Sequence, residues 1–83
     1  MFYVYLLSSG KDGKFYIGYS GDLKARLQEH LNGKVESTRH RCPLKLIYYE
    51  AYSNEEMARE REEKLKKFGS SYQGLIKRLG LAE

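Results

Sequence analysis

Hydrophobic and polar positions alternate with period two in two runs near the start of the chain. In FYVYLL, residues 2–7, Phe2, Val4 and Leu6 share one parity while Tyr3, Tyr5 and Leu7 share the other. Successive strand side chains point to opposite faces, so the first set predicts a core face. In the second run Phe15, Ile17 and Tyr19 oppose Lys14, Tyr16 and Gly18, which sets Tyr16 on a polar face. The linker SSGKDG carries the Gly and Asp-Gly signals of a hairpin, so the runs are predicted to pair antiparallel with Tyr5 and Tyr16 on one face. Gly18 leaves no side chain beside Tyr16, which predicts a close approach to the backbone there.

The period then changes. Ser20-Gly21-Asp22 offers cap chemistry, and Leu23, Leu27 and Leu31 recur at fourfold spacing before Gly33, predicting a helix over about 22–32. Residues 33–43, GKVESTRHRCP, show no period. LKLIYYEAY, residues 44–52, alternates Leu44, Leu46 and Tyr48 against Lys45, Ile47 and Tyr49 and reads as a third strand. Ser53 and Glu56 have capping-box spacing for a second helix over about 54–68, with Gly69 as its stop. Tyr72, Leu75, Ile76 and Leu79 repeat as i, i+3, i+4, i+7 before Gly80, giving a third helix. The predicted order is ββαβαα. The class is α/β of the α+β kind, a three-stranded antiparallel sheet flanked by helices in one domain spanning 1–83.

Three polar residues intrude on apolar stripes. Helix two has a thin stripe of Ala58, Leu65 and Phe68, and Glu62 projects from it. A buried carboxylate requires a partner, and an arginine, a lysine or a metal ion would each serve. On helix one, Arg26 and His30 flank the leucine stripe at about 60° and about 20° from Leu23. A histidine so placed is commonly a satisfied core residue. Together, however, two phenols, a guanidinium, an imidazole and a carboxylate are the parts of a phosphodiesterase: a base for water, a cation for the phosphate, and an oxygen ligand for a divalent ion.

Composition narrows the setting. The 83 residues carry a formal charge of +4 with pI about 9.2, which suits an anionic partner without demanding one. FYVYLL is too short to span a bilayer and lacks the flanks of a secretory signal, so no membrane role and a cytoplasmic location are expected. The single cysteine, Cys42, excludes an intrachain disulfide and a cysteine-rich zinc site. Cys42 with His40 makes a poor hydrolase pair, since nothing orients the base.

These residues resemble the GIY-YIG nuclease superfamily. Its two half-motifs appear as Tyr3-Val4-Tyr5 and Tyr16-Ile17-Gly18, the first degenerate at its opening glycine and middle isoleucine. DLKARLQEH, residues 22–30, is similar to the helix that carries the family's essential arginine, with a histidine one turn on. AREREEKLKKF resembles the A-x-x-R-E-x-x-x-K pattern of small stand-alone members, and STRHRCPLKLIYYE their T-R-x-x-x-P-x-x-L-x-x-x-E stretch. The excinuclease C nuclease domain is a relative that carries a lysine where Tyr19 stands. The resemblance implies catalytic Tyr5, Tyr16, Arg26, His30 and Glu62, with one Mg²⁺ or Mn²⁺ on Glu62. It implies an endonuclease acting on nucleic acid, DNA rather than RNA, without an appended DNA-binding domain and with a protein partner available for targeting. Lys34, Thr38, Arg39, Arg41 and Lys66 are the expected phosphate contacts. The alternatives are a nucleic-acid-binding domain of the same fold that cuts little, and a protein-interaction or hydrolase module unrelated to nucleic acid.

Overall fold

The structure is a computed structural model and describes residues 1–81. Strand β1 (Phe2–Ser9) and strand β2 (Phe15–Ser20) form the expected antiparallel hairpin, closed by a turn in which Gly13 takes a positive φ of 71°. Strand β3 (Leu44–Tyr52) pairs with the other edge of β1, so the sheet order is β2-β1-β3 with β1 central. Helix α1 (Leu23–Leu31) follows the hairpin, a 3₁₀ turn (Arg39–Arg41) precedes β3, and α2 (Glu55–Lys66) and α3 (Ser70–Arg78) close the chain. The order ββαβαα is the one read from the periodicities.

One sheet face is the main core. Val4, Leu6, Phe15 and Ile17 pack there against Ala58 and Leu65 of α2 and Tyr72, Leu75 and Ile76 of α3. Strand alternation turns Tyr3, Tyr5 and Leu7 to the other face, where α1 and the segment leading to β3 lie. That second layer is thinner. Leu23 and Leu27 are half-buried and Leu31 is exposed, so the leucine stripe does not anchor α1; its one fully buried residue is His30.

Several local expectations need correcting. The period of β3 breaks at a bulge: Leu6 faces Tyr48 while Leu7 faces Leu46, so Ile47 is the extra residue. Tyr48 is thereby moved off the face of Leu44 and Leu46, and Tyr49, paired with Tyr5, takes its place. Asn54, not Ser53, caps α2, accepting from the Met57 N–H at 3.1 Å. Phe68, not Gly69, takes the left-handed conformation after α2, with φ 54°, and its ring is exposed apart from an edge contact with Tyr72. Asp22 caps α1 through the Ala25 N–H, as its position suggested.

The buried ion pair anticipated for helix two exists at a neighbouring residue. Arg61 grips both carboxylate oxygens of Glu50 at 3.0 Å, and the Tyr48 and Tyr52 hydroxyls donate to the same group. Burial works to raise the Glu50 carboxyl, but these hydrogen bonds outweigh it and hold the group below the ordinary glutamate value. The clamp ties β3 to α2. Glu50 and Arg61 therefore account structurally for one position in each of the two later motif segments.

Candidate active site

The site is built where Tyr5 meets Gly18. The two residues are paired across β1 and β2, and a Cβ at Gly18 would collide with the Tyr5 ring. The close approach expected at Gly18 is thus made by the protein's own phenol. Tyr16 stands on the same face, its ring centroid 6.5 Å from that of Tyr5.

His30 joins them from the last turn of α1. Its Nε2 lies 2.8 Å from the Tyr5 hydroxyl and its Nδ1 2.7 Å from Oγ1 of Thr38, and its ring edge meets Tyr16 at 5.3 Å. His30 and Thr38 are completely buried and Tyr5 nearly so. A chain of three buried polar groups, each satisfied by the next, fixes all their rotamers. Thr38 was expected at phosphate and is not available to it; burial and the bond to His30 assign it to the interior. Ser37, beside it, reaches the Tyr16 hydroxyl at 3.4 Å.

Arg26 lies one turn before His30, half-exposed, and pairs with Glu29 at 3.3 Å. Burial pushes the Tyr5 hydroxyl up to about 12, against the guanidinium of Arg26 beside it, while Tyr16 and Glu62 add to the rise. Burial, aided by the charge of Arg26, lowers His30 below its ordinary value. At neutral pH Tyr5 is a phenol and His30 a neutral imidazole. Arginine can only donate, so the phenol proton is assigned to Nε2 of His30 and the ring N–H to Nδ1, facing Thr38.

Glu62 enters from the other layer. It lies between Ala58 and Leu65 on α2, its side chain 19% exposed, and binds Nζ of Lys66 at 3.1 Å. That nitrogen also sits 6.0 Å from the centre of the Tyr16 ring. Since β2 is an edge strand, the Glu62 and Lys66 pair reaches Tyr16 past that edge. Glu62 thus has a lysine one turn on as its cation.

The remaining expected phosphate contacts divide. Lys34 and Arg39 are exposed. Arg41 is held within the hairpin loop, its Nε 3.5 Å from Asp12 and its guanidinium 3.4 Å from the Phe15 carbonyl. That lowers its claim to phosphate. Sequence patterns gave no sign of the Thr38 role, because the loop has no period, whereas the i, i+4 spacing of Glu62 and Lys66 was a readable signal.

Among the described residues no group of three or more His, Cys, Asp or Glu could cage a metal ion. One carboxylate among phenols does not suit zinc, which takes three or four protein ligands drawn mostly from His and Cys. It does fit Mg²⁺, which keeps several waters and is commonly held by one or two carboxylates together with substrate phosphate.

The model of the GIY-YIG catalytic domain matches residues 1–74. The chain belongs to the GIY-YIG family. It is 42% identical over 66 residues to a UPF0213 protein of Streptococcus pneumoniae serotype 4, a match covering 78% of this chain and 66% of that protein. Against UPF0213 protein CPE1444 of Clostridium perfringens the identity is 41% over 68 residues, covering 81% and 72%. The chain spans only 61% of the length of a second pneumococcal relative, UPF0213 protein spr1390. The solution NMR structure of UPF0213 protein BH0048 from Bacillus halodurans is similar with TM-score 0.59 and 33% identity, over 95% of this chain and 85% of that one. GIY-YIG membership supports a nuclease-type function in general terms. Among the described residues no helix is long and apolar enough to cross a membrane.

Proposed function

We propose that this GIY-YIG domain is a divalent-metal-dependent endonuclease that hydrolyses phosphodiester bonds, of DNA in preference to RNA, in the cytoplasm. The observation that carries the reading is the packing of Tyr5, Tyr16 and His30 within ring contact of one another, with Arg26 beside Tyr5 and the Glu62 and Lys66 pair at Tyr16.

The residues divide the work by exposure. Tyr16 is half-exposed and is the residue placed to act as general base on the attacking water, with Nζ of Lys66 6.0 Å from its ring centre. Tyr5, held protonated by burial, gives its one proton to Nε2 of His30 and is a fixed wall of the site, locked by His30 and Thr38. His30 touches no solvent, so its part is positioning through Tyr5. Arg26, half-exposed, neutralises charge that develops on the phosphate oxygens. Glu62 would hold Mg²⁺ or Mn²⁺, which when bound stabilises charge on the attacked phosphate and leaving oxygen. Lys34 and Arg39 would contact flanking phosphates, giving affinity without sequence readout.

Purified protein with supercoiled plasmid and Mg²⁺ or Mn²⁺ tests the reading, beside Arg26→Ala, Tyr16→Phe and Glu62→Gln. Nicking that disappears in all three supports it. Nicking equal in wild type and variants marks a contaminant, and no nicking of any DNA or RNA by the folded wild type overturns it.

A further inference from the structure

Next to the Tyr5 cluster, on the same sheet face, lies a groove of about 440 Å³ that the proposed reaction does not use. Tyr3, Leu46 and Tyr49 form its sheet side, and Leu23, Lys24 and Leu27 of α1 its other wall. Tyr3 and Tyr49 meet edge to face with centroids 6.1 Å apart. Tyr49 nevertheless stays 52% exposed, a large aromatic residue held open at the mouth of an apolar cleft.

We propose that this groove binds an unstacked nucleobase of a single-stranded nucleic acid, one step along the strand from the scissile phosphate. The inference rests on the nuclease reading for its register and on the groove alone for its chemistry. Tyr3 and Tyr5 are two residues apart on one face of β1, about 7 Å, so the groove continues from the candidate active site. Arg26 flanks the Leu23 and Leu27 stripe of α1, about 60° from Leu23, so the cation proposed for phosphate lies on the helix that walls the cleft proposed for base. Lys24 adds positive charge at the rim, and the Asp22 carboxylate there is turned to its capping bond with the Ala25 N–H. A rigid aromatic beside a cationic track is the arrangement on which single strands stack, and every base offers it a π face. Duplex bases have both faces covered by their neighbours, so a duplex has nothing to place in this groove. The class of substrate selected is therefore a flap, loop, gap or free single strand, of DNA or RNA.

The test is binding in EDTA, read by fluorescence anisotropy with a labelled mixed-sequence single strand, as deoxy and as ribo oligonucleotide, and the matching duplex. Tyr49→Ala is expected to weaken single-strand binding about 5- to 100-fold while duplex binding stays within twofold, and Tyr49→Phe to retain wild-type affinity. Comparison of the two oligonucleotides tells which backbone the site prefers. The inference is overturned if Tyr49→Ala leaves single-strand binding unchanged, if it weakens both forms equally, or if no strand binds. It is also overturned if sedimentation shows a self-association that Tyr49→Ala abolishes, which would make the groove an interface between copies. Because no metal is present, Tyr49-dependent binding without cleavage would defeat the nuclease reading alone, and cleavage without Tyr49-dependent binding would defeat the groove alone.

Discussion

The Tyr5 ring fills the space that a side chain at Gly18 would occupy, and the Tyr5 hydroxyl is thereby set against His30. Gly18→Ala should force the ring out. Tyr5 is buried and bonded, so it cannot swing aside freely, and overpacking of this kind costs about 1–3 kcal/mol. Melting should fall by about 4–8 °C per kcal/mol in a chain of this size. Plasmid nicking should fall further than the loss of folded protein explains, because the phenol has moved. A variant with wild-type melting and nicking would show that the glycine is not needed for the ring.

Acid should destabilise the fold in two separate windows. His30 is depressed below its unfolded value of 6.5, chiefly by burial. Below pH 6.5 the unfolded chain binds the extra proton first, so stability is full above that pH and falls as pH drops through the folded value. Glu50, also depressed, contributes stability present above its unfolded value of 4.5 and lost as pH falls further. Urea melts from pH 8 to pH 3 should show the upper slope vanish in His30→Gln and the lower one shrink in Glu50→Gln, leaving the share of Asp12 and Glu55, which are also held low. A His30→Gln protein that keeps the upper slope would place the titrating group elsewhere.

Most of the architecture was legible, and the misses share a cause. The span 44–52 of β3 and the order of elements follow from period and turn residues, which act locally. The bulge at Ile47 could not be read, since it is defined by the partner strand and not by LKLIYYEAY itself. The leucines of α1 overstated their burial because Leu23 and Leu27 wall an open groove against Tyr3, Leu46 and Tyr49, while His30 is the residue that packs on Tyr5. The phenols, Arg26 and Glu62 stand out in the sequence as polar residues out of pattern, which is what proposes them for the site. Thr38 was misassigned because its hydroxyl is defined by a fold-level contact that its loop gives no hint of.

Phosphate contacts should show in salt dependence. The exposed Lys34 and Arg39 each stand to release about one counterion on binding, so alanine at either should lower the slope of log K against log salt by about 0.9 on duplex DNA. Arg41→Ala should leave the slope nearly unchanged and instead lower stability, since its guanidinium joins Asp12 to the Phe15 carbonyl across the hairpin end. Wild-type affinity that is flat between low and physiological salt would count against a nucleic-acid partner altogether.

Glu62 and Glu50 are two carboxylates near α2 with opposite expected roles, and the same substitution separates them. Glu50 is locked between Arg61 and two tyrosines, its side chain 13% exposed, so Glu50→Gln strands a partly buried guanidinium. Arg61 keeps 25% of its side chain in solvent, so removing its partner costs less than the about 3–5 kcal/mol of a fully buried pair, but more than a surface pair is worth. Glu62 pairs with a half-exposed lysine at i, i+4, an interaction of about 0.3–0.5 kcal/mol that solvent screens. Glu62→Gln should therefore melt within a few degrees of wild type, yet lose divalent-dependent nicking, because it removes the carboxylate proposed to hold the ion. Glu50→Gln should melt far lower, and what remains folded should still cut. Melting curves and nicking assays on the same preparations decide between the assignments. A large loss of stability in Glu62→Gln, or nicking that persists in it, would make Glu62 a structural residue and move the metal elsewhere.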